Sequence, residues 1–118
     1  MRIIDIPISI EEFRNTCCTT FDRMVKIDVD VELGIIAADA EMHADLEEAL
    51  LENGSQQQSI WGANIYPDET GDGYLEYTSL INIRPSVGNL SMEVESSNIR
   101  AIIKAIVDRL VVRGSHAA

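Results

Sequence analysis

The chain has 118 residues, 46% of them hydrophobic, and its 20 Asp and Glu against 9 Lys and Arg leave a net charge of −11. A surface this acidic is repelled by a phosphate backbone, and the basic residues are scattered, which argues against a nucleic-acid partner. No apolar run approaches the roughly 20 residues that cross a bilayer, which argues against a membrane partner, and the length suits one domain with its own core.

The opening MRIIDIPISIEEF is broken by Asp5 and Pro7 and carries two glutamates. It does not read as a signal peptide, so a cytoplasmic protein is expected. Ser9 and Glu12 form a capping box. Ile10, Phe13, Cys17 and Phe21 then recur at helical spacing, predicting an amphipathic helix over residues 10–21. Cys17 and Cys18 are adjacent, a poor disulfide geometry, and are read as reduced thiols with at least one in the core.

From Met24 the period changes to two. Val25, Ile27, Val29 and Val31 alternate with Lys26, Asp28 and Asp30, a half-buried strand. Glu32-Leu33-Gly34 turns the chain. A second strand is predicted from Ile35 to Asp45, with Ile36, Ala38, Ala40, Met42 and Ala44 on one face. Leu46–Asn53 reads as a short helix ended by Gly54. Two further strands, Ser59–Pro67 and Gly73–Pro85, form a second hairpin, each closed by a proline. Ser86–Glu95 is a loop. Ser96 or Ser97 caps a last helix whose stripe is Ile99, Ile102, Ile103, Ile106, Leu110 and Val111.

These elements predict an α+β fold: a two-layer sandwich in which a four-stranded antiparallel sheet of two hairpins carries the N- and C-terminal helices on one face. Residues 1–113 form a single domain in this reading, and 114–118 a flexible C-terminal tail.

The other sheet face is then left open and polar. It collects Lys26, Asp28, Asp30, Asp39, Glu41, His43, Asp45, Asn64, Tyr66, Glu76, Thr78, Asn82 and Arg84. A solvated surface is the plain reading. The chemical one starts from Glu41, His43 and Asp45, which share one side of the predicted second strand. They are candidates for general acid–base catalysis. With Asp28 or Asp30 across the hairpin, Glu41 and His43 are also candidate ligands for a divalent cation, although no metal motif such as HExxH is present. Asn64, Tyr66, Asn82, Arg84 and Asn89 are candidate ligand-binding residues; Arg84 with the amides of Ser86–Asn89 would make an anion site. Nucleophile elbows, phosphate loops and dinucleotide fingerprints are absent, and no cofactor is expected.

Four segments carry a resemblance: VDVELGIIA (29–37), EMHAD (41–45), LENGSQQQSIWGANIYP (51–67) and SLINIRPSVGN (79–89). Together they resemble a small uncharacterised prokaryotic family catalogued only as a domain of unknown function, over about Ile3 to Leu110. The family pattern places basic residues after the Gly-Asn pair. This chain has Leu90 and Met92 there, which weakens a phosphate site in the loop. The resemblance implies no activity and no cofactor.

The function expected is a small non-enzymatic binding or protein-interaction module with a cationic or protein partner. The alternative is a metal- or His-assisted enzyme on the open sheet face. A homodimer is expected, formed through an edge or the Trp61–Tyr77 hairpin, with the acidic face left open.

Overall fold

A computed structural model describes residues 1–114 of the chain. The strands are β1 (Arg2–Ile4), β2 (Ile8–Ser9), β3 (Val25–Asp30), β4 (Ile35–Ala38), β5 (Ile60–Ile65), β6 (Leu75–Glu76) and β7 (Val111–Val112). The helices are α1 (Ile10–Cys17), α2 (His43–Glu52) and α3 (Ser97–Leu110). The fold is α+β. Its main sheet is antiparallel throughout, in the order β1-β4-β3-β5-β6, and β2 and β7 form a separate parallel pair. Of the expected tail, residues 115–118 lie outside the described residues.

The sheet therefore has five strands, not four. The additional one, β1, pairs with β4 through Arg2–Ala38 to Ile4–Ile36. Three residues are too short to show a period of two, and Asp5 and Pro7 follow at once. The helix caps fall where the sequence puts them. Ser9 accepts the Glu12 N–H at 3.0 Å and Ser96 accepts that of Ile99 at 3.1 Å.

Two boundaries move for one shared reason. The first helix stops at Cys17, not Phe21, because the amides of Thr19 and Thr20 turn away to donate to the Asp39 carboxylate. Asp39 has φ of 76°, a left-handed conformation that aspartate tolerates better than most residues and that no strand continues through. The second strand accordingly ends at Ala38, and its expected continuation to Asp45 becomes the approach to α2 and that helix's first turn.

The predicted fourth strand shortens most. Only Leu75–Glu76 pair with β5. Residues 77–95 instead build a compact loop with single 3-10 turns at Leu80–Asn82 and Pro85–Val87, closed by bridges between Thr78 and Glu93 and between Arg84 and Asn89.

Alternate residues of the strands enter two hydrophobic clusters. Val25, Ile27, Val29, Ile36, Ala38, Ala63 and Ile65 pack with Phe13 and Cys17 of α1 and Ile103, Val107 and Leu110 of α3. Ala37 and Ile60 pack with Leu46 and Leu50 of α2, with Ile81 against them. The sheet face expected to stand open is thus occupied by α2 and the 77–95 loop. Asp28 and Asp30 on it are 0% and 1% exposed.

Candidate functional site

The catalytic and metal candidates do not meet. His43 and Asp45 lie in the first turn of α2, and Glu41 sits exposed on the bend before it. The even spacing that stacks side chains on a strand turns them to different sides of a helix. Asp45 is exposed while His43 is buried. Asp30 has a local task instead, accepting the Glu32 and Leu33 amides at 2.8 and 2.9 Å to hold the β3–β4 turn. Asp28 stands opposite Gly62 and Ala37 in the sheet interior, both carboxyl oxygens without a hydrogen-bond partner. Burial, with repulsion from Glu47, pushes its pKa up to about 9 against the pull of Arg84. Among the described residues, no three His, Cys, Asp or Glu are grouped to hold a metal ion.

Three of the ligand candidates are fasteners of the 77–95 loop. Asn82 accepts the Gly62 N–H at 2.8 Å and donates to the Gly62 and Met92 carbonyls, both at 3.0 Å. Its amide pins the loop onto β5 as a strand partner would. Asn89 donates to the carbonyls of Asn82, Ser91 and Glu93 and accepts the Glu95 amide. Arg84 donates to Gln57, Ile60 and Ile81 carbonyls and pairs with Glu47 at 2.9 Å, both side chains largely buried. These bonds occupy Nη1 and Nη2 of Arg84, the groups expected to make an anion site with the Ser86–Asn89 amides.

Two ligand candidates and one catalytic candidate do come together. Asn64, Tyr66 and His43 line a groove of about 410 Å³, between the start of α2 and the 77–95 loop. Its walls are Met24, Met42, Met92, Leu80 and Ile81, and Lys26 and Glu76 stand at it. Leu80 is 71% exposed, Met42 57% and Met92 41%, an unusual display of apolar surface for so charged a chain. The Lys26 ammonium sits 5.5 Å from the Phe21 ring centroid.

The polar floor is tightly arranged. His43 Nε2–H donates to the Ala63 carbonyl at 2.9 Å, which assigns the ring's proton to that nitrogen. Burial, reinforced by Lys26, holds its pKa below the ordinary 6.5, although the Ala63 carbonyl, Asn64 and Glu76 oppose this. The ring is neutral at pH 7. Asn64 donates through Nδ2 to Glu76 Oε1 at 2.9 Å and the Thr78 carbonyl at 3.2 Å. Tyr66 donates its hydroxyl to the same Glu76 oxygen at 2.9 Å. Burial and that carboxylate both raise the phenol's pKa, so it stays a donor.

Leu80 stands out in the sequence as an apolar residue beside the polar ones, but sequence reasoning missed the methionine walls. Three of the chain's four methionines line this groove, and methionine is the adaptable side chain of surfaces that re-pack around partners. The signal was present at Leu90 and Met92, which stand where the resemblance calls for basic residues.

A second groove, of about 620 Å³, shares Tyr66, Glu76 and Thr78 with the first. Its cations are spoken for: Arg100 pairs with Glu93 at 3.0 Å, Lys104 with Asp108 at 2.6 Å, and Arg113 lies 3.7 Å from the Tyr74 ring centroid.

Comparison with curated proteins and with solved structures finds no match to the chain. A family model described as a protein of unknown function, DUF5674, matches residues 2–110, and the chain belongs to that family.

Proposed function

We propose that this chain is a non-enzymatic protein-interaction module whose methionine-lined groove receives a segment of a basic partner protein. The observation that carries the reading is the groove itself: Leu80, Met42 and Met92 are exposed together around a floor of fixed polar groups. A pocket of this kind supplies apolar contact with a few oriented hydrogen-bonding groups, the usual makeup of a recognition site. The net charge of −11 supplies the sign of the partner, since complementary charge steers association.

The scaffold, in this reading, is residues 1–113 acting as one domain, with α1 and α3 layered on one sheet face and the groove on the other. Free Cys17 and Cys18 fit a reducing, cytoplasmic setting. The partner is neither nucleic acid nor membrane, no cofactor takes part, and the chain works as a homodimer.

His43 supports binding better than catalysis. The Ala63 carbonyl holds Nε2–H and leaves Nδ1 as the free nitrogen of the ring, but Glu41 and Asp45, the carboxylates expected to work with it, are elsewhere. The test is a broad hydrolase screen on the purified protein beside a His43→Ala variant. The expected result is no activity that depends on His43. Turnover lost in the variant contradicts the proposal and restores the enzymatic alternative.

A further inference from the structure

We propose that the floor of the methionine groove is a binding site for a lysine side chain of the partner protein. The inference rests on the interaction reading above and names what the groove holds.

It starts from an acceptor without a donor. Asn64 is 7% exposed, and its Oδ1 is buried with no hydrogen-bond partner among the described residues. Its orientation is fixed, because both groups that Nδ2 contacts, Glu76 Oε1 and the Thr78 carbonyl, only accept. His43 is the neighbour that bonds Asn64 when its ring is protonated; neutral, it has one N–H, already given to Ala63. Buried acceptors in folded proteins are normally satisfied, so this one is an opening for a donor brought from outside.

The neighbouring carboxylate gives that donor its charge. Glu76 Oε1 takes hydrogen bonds from Asn64 and Tyr66, and no described residue bonds Oε2. What the floor offers is two single acceptors on different residues. A compact ammonium with three donors fits that arrangement, whereas a guanidinium fork is best matched by two parallel oxygens of one free carboxylate. The walls fit the rest of the side chain, since four methylenes lie naturally along Met42, Leu80 and Met92. Neutral His43 adds no charge against the incoming ammonium; Lys26, paired with Asn64 across β3 and β5, does, its ammonium drawn over Phe21 at 5.5 Å, and the Glu76 carboxylate offsets it.

The experiment follows the methionine methyl and Asn64 side-chain amide resonances while Nα-acetyl-lysine N-methylamide is added. The norleucine and arginine counterparts serve as probes lacking the ammonium and carrying the fork. The lysine probe is expected to shift Met42, Met92 and the Asn64 amide saturably. The norleucine probe is expected to bind roughly tenfold more weakly, the factor one hydrogen bond to a charged group is worth, and to leave the Asn64 amide unmoved. The arginine probe should fall below lysine. Glu76→Gln, at an exposed position and nearly isosteric, should bring lysine binding down toward that of norleucine. Equal binding of lysine and norleucine overturns the inference while the apolar groove, and with it the interaction reading, stands. Arginine matching lysine overturns the choice of ammonium. Silence of the methionine methyls toward all three probes overturns both.

Discussion

Asparagine is a poor strand residue unless its amide has work, and here the work divides by position. Asn82 spends its polar atoms tying the 77–95 loop to Gly62 of β5 and to Met92, Asn89 spends its own within the loop, and Asn64 keeps one oxygen unspent at the groove. The sequence marked Asn64 and Asn82 as unusual in strands and Asn89 as a loop candidate, but composition and period do not reveal whether an amide bonds its own backbone or a ligand. That depends on which loop carbonyls lie within 3 Å of it. Asp28 was likewise visible as one polar member of an alternating strand, and its phase was right; what covers that face was not legible. Its burial has a consequence for pH. Folding raises the carboxyl from the ordinary 3.8 to about 9, so the unfolded chain releases this proton first, and Asp28 lowers stability progressively as pH rises between those values. Asp28→Asn cannot ionise. Denaturant midpoints at pH 5 and pH 9 should therefore show the variant gaining on wild type at the higher pH. Midpoints that stay parallel contradict the burial.

At the scale of elements, caps and long stripes were legible because they are local. Ser9, Ser96 and the α3 stripe announce themselves within four residues of sequence. The fourth strand misled because Leu75, Tyr77, Ser79, Ile81 and Ile83 alternate whether or not a neighbour pairs with them. The loop that replaces it draws its hydrogen bonds from side chains, to which periodicity is blind. The second strand misled because small Ala38 and Ala40 suit a strand or a bend, and only the left-handed Asp39 settles the matter. Gly62 is where loop and sheet come closest. A Cβ there would lie 2.4 Å from Ser79 Cβ and 2.6 Å from its Oγ. Gly62→Ala should lift the Ser79–Asn82 turn off β5 and cost about 1–3 kcal/mol, the range for overpacking a filled interior. Chemical denaturation measures it, and a wild-type midpoint would show that the loop does not sit on the strand.

At the scale of the molecule, the acidic face expected to stay open is not a surface, since Asp28 and Asp30 lie beneath α2 and the loop. Self-repulsion across that face is therefore no obstacle to pairing, and the two short edge strands, β1 and β6, remain the places where a second copy can add. A dimer mass by light scattering at micromolar concentration is the expected outcome. A monomer mass unchanged at high salt contradicts it. The account as a whole turns on whether the methionine groove binds protein. The most direct measurement is selection of random peptides on the purified chain, followed by the affinity of the enriched peptides for a Leu80→Asp variant, whose change lies at a 71% exposed position. The account predicts peptides pairing apolar residues with lysine, bound at least about tenfold more weakly by the variant, since burying an apolar anchor of this size is worth about 1.5–3 kcal/mol. Enriched peptides without lysine, held equally by wild type and variant, would contradict it.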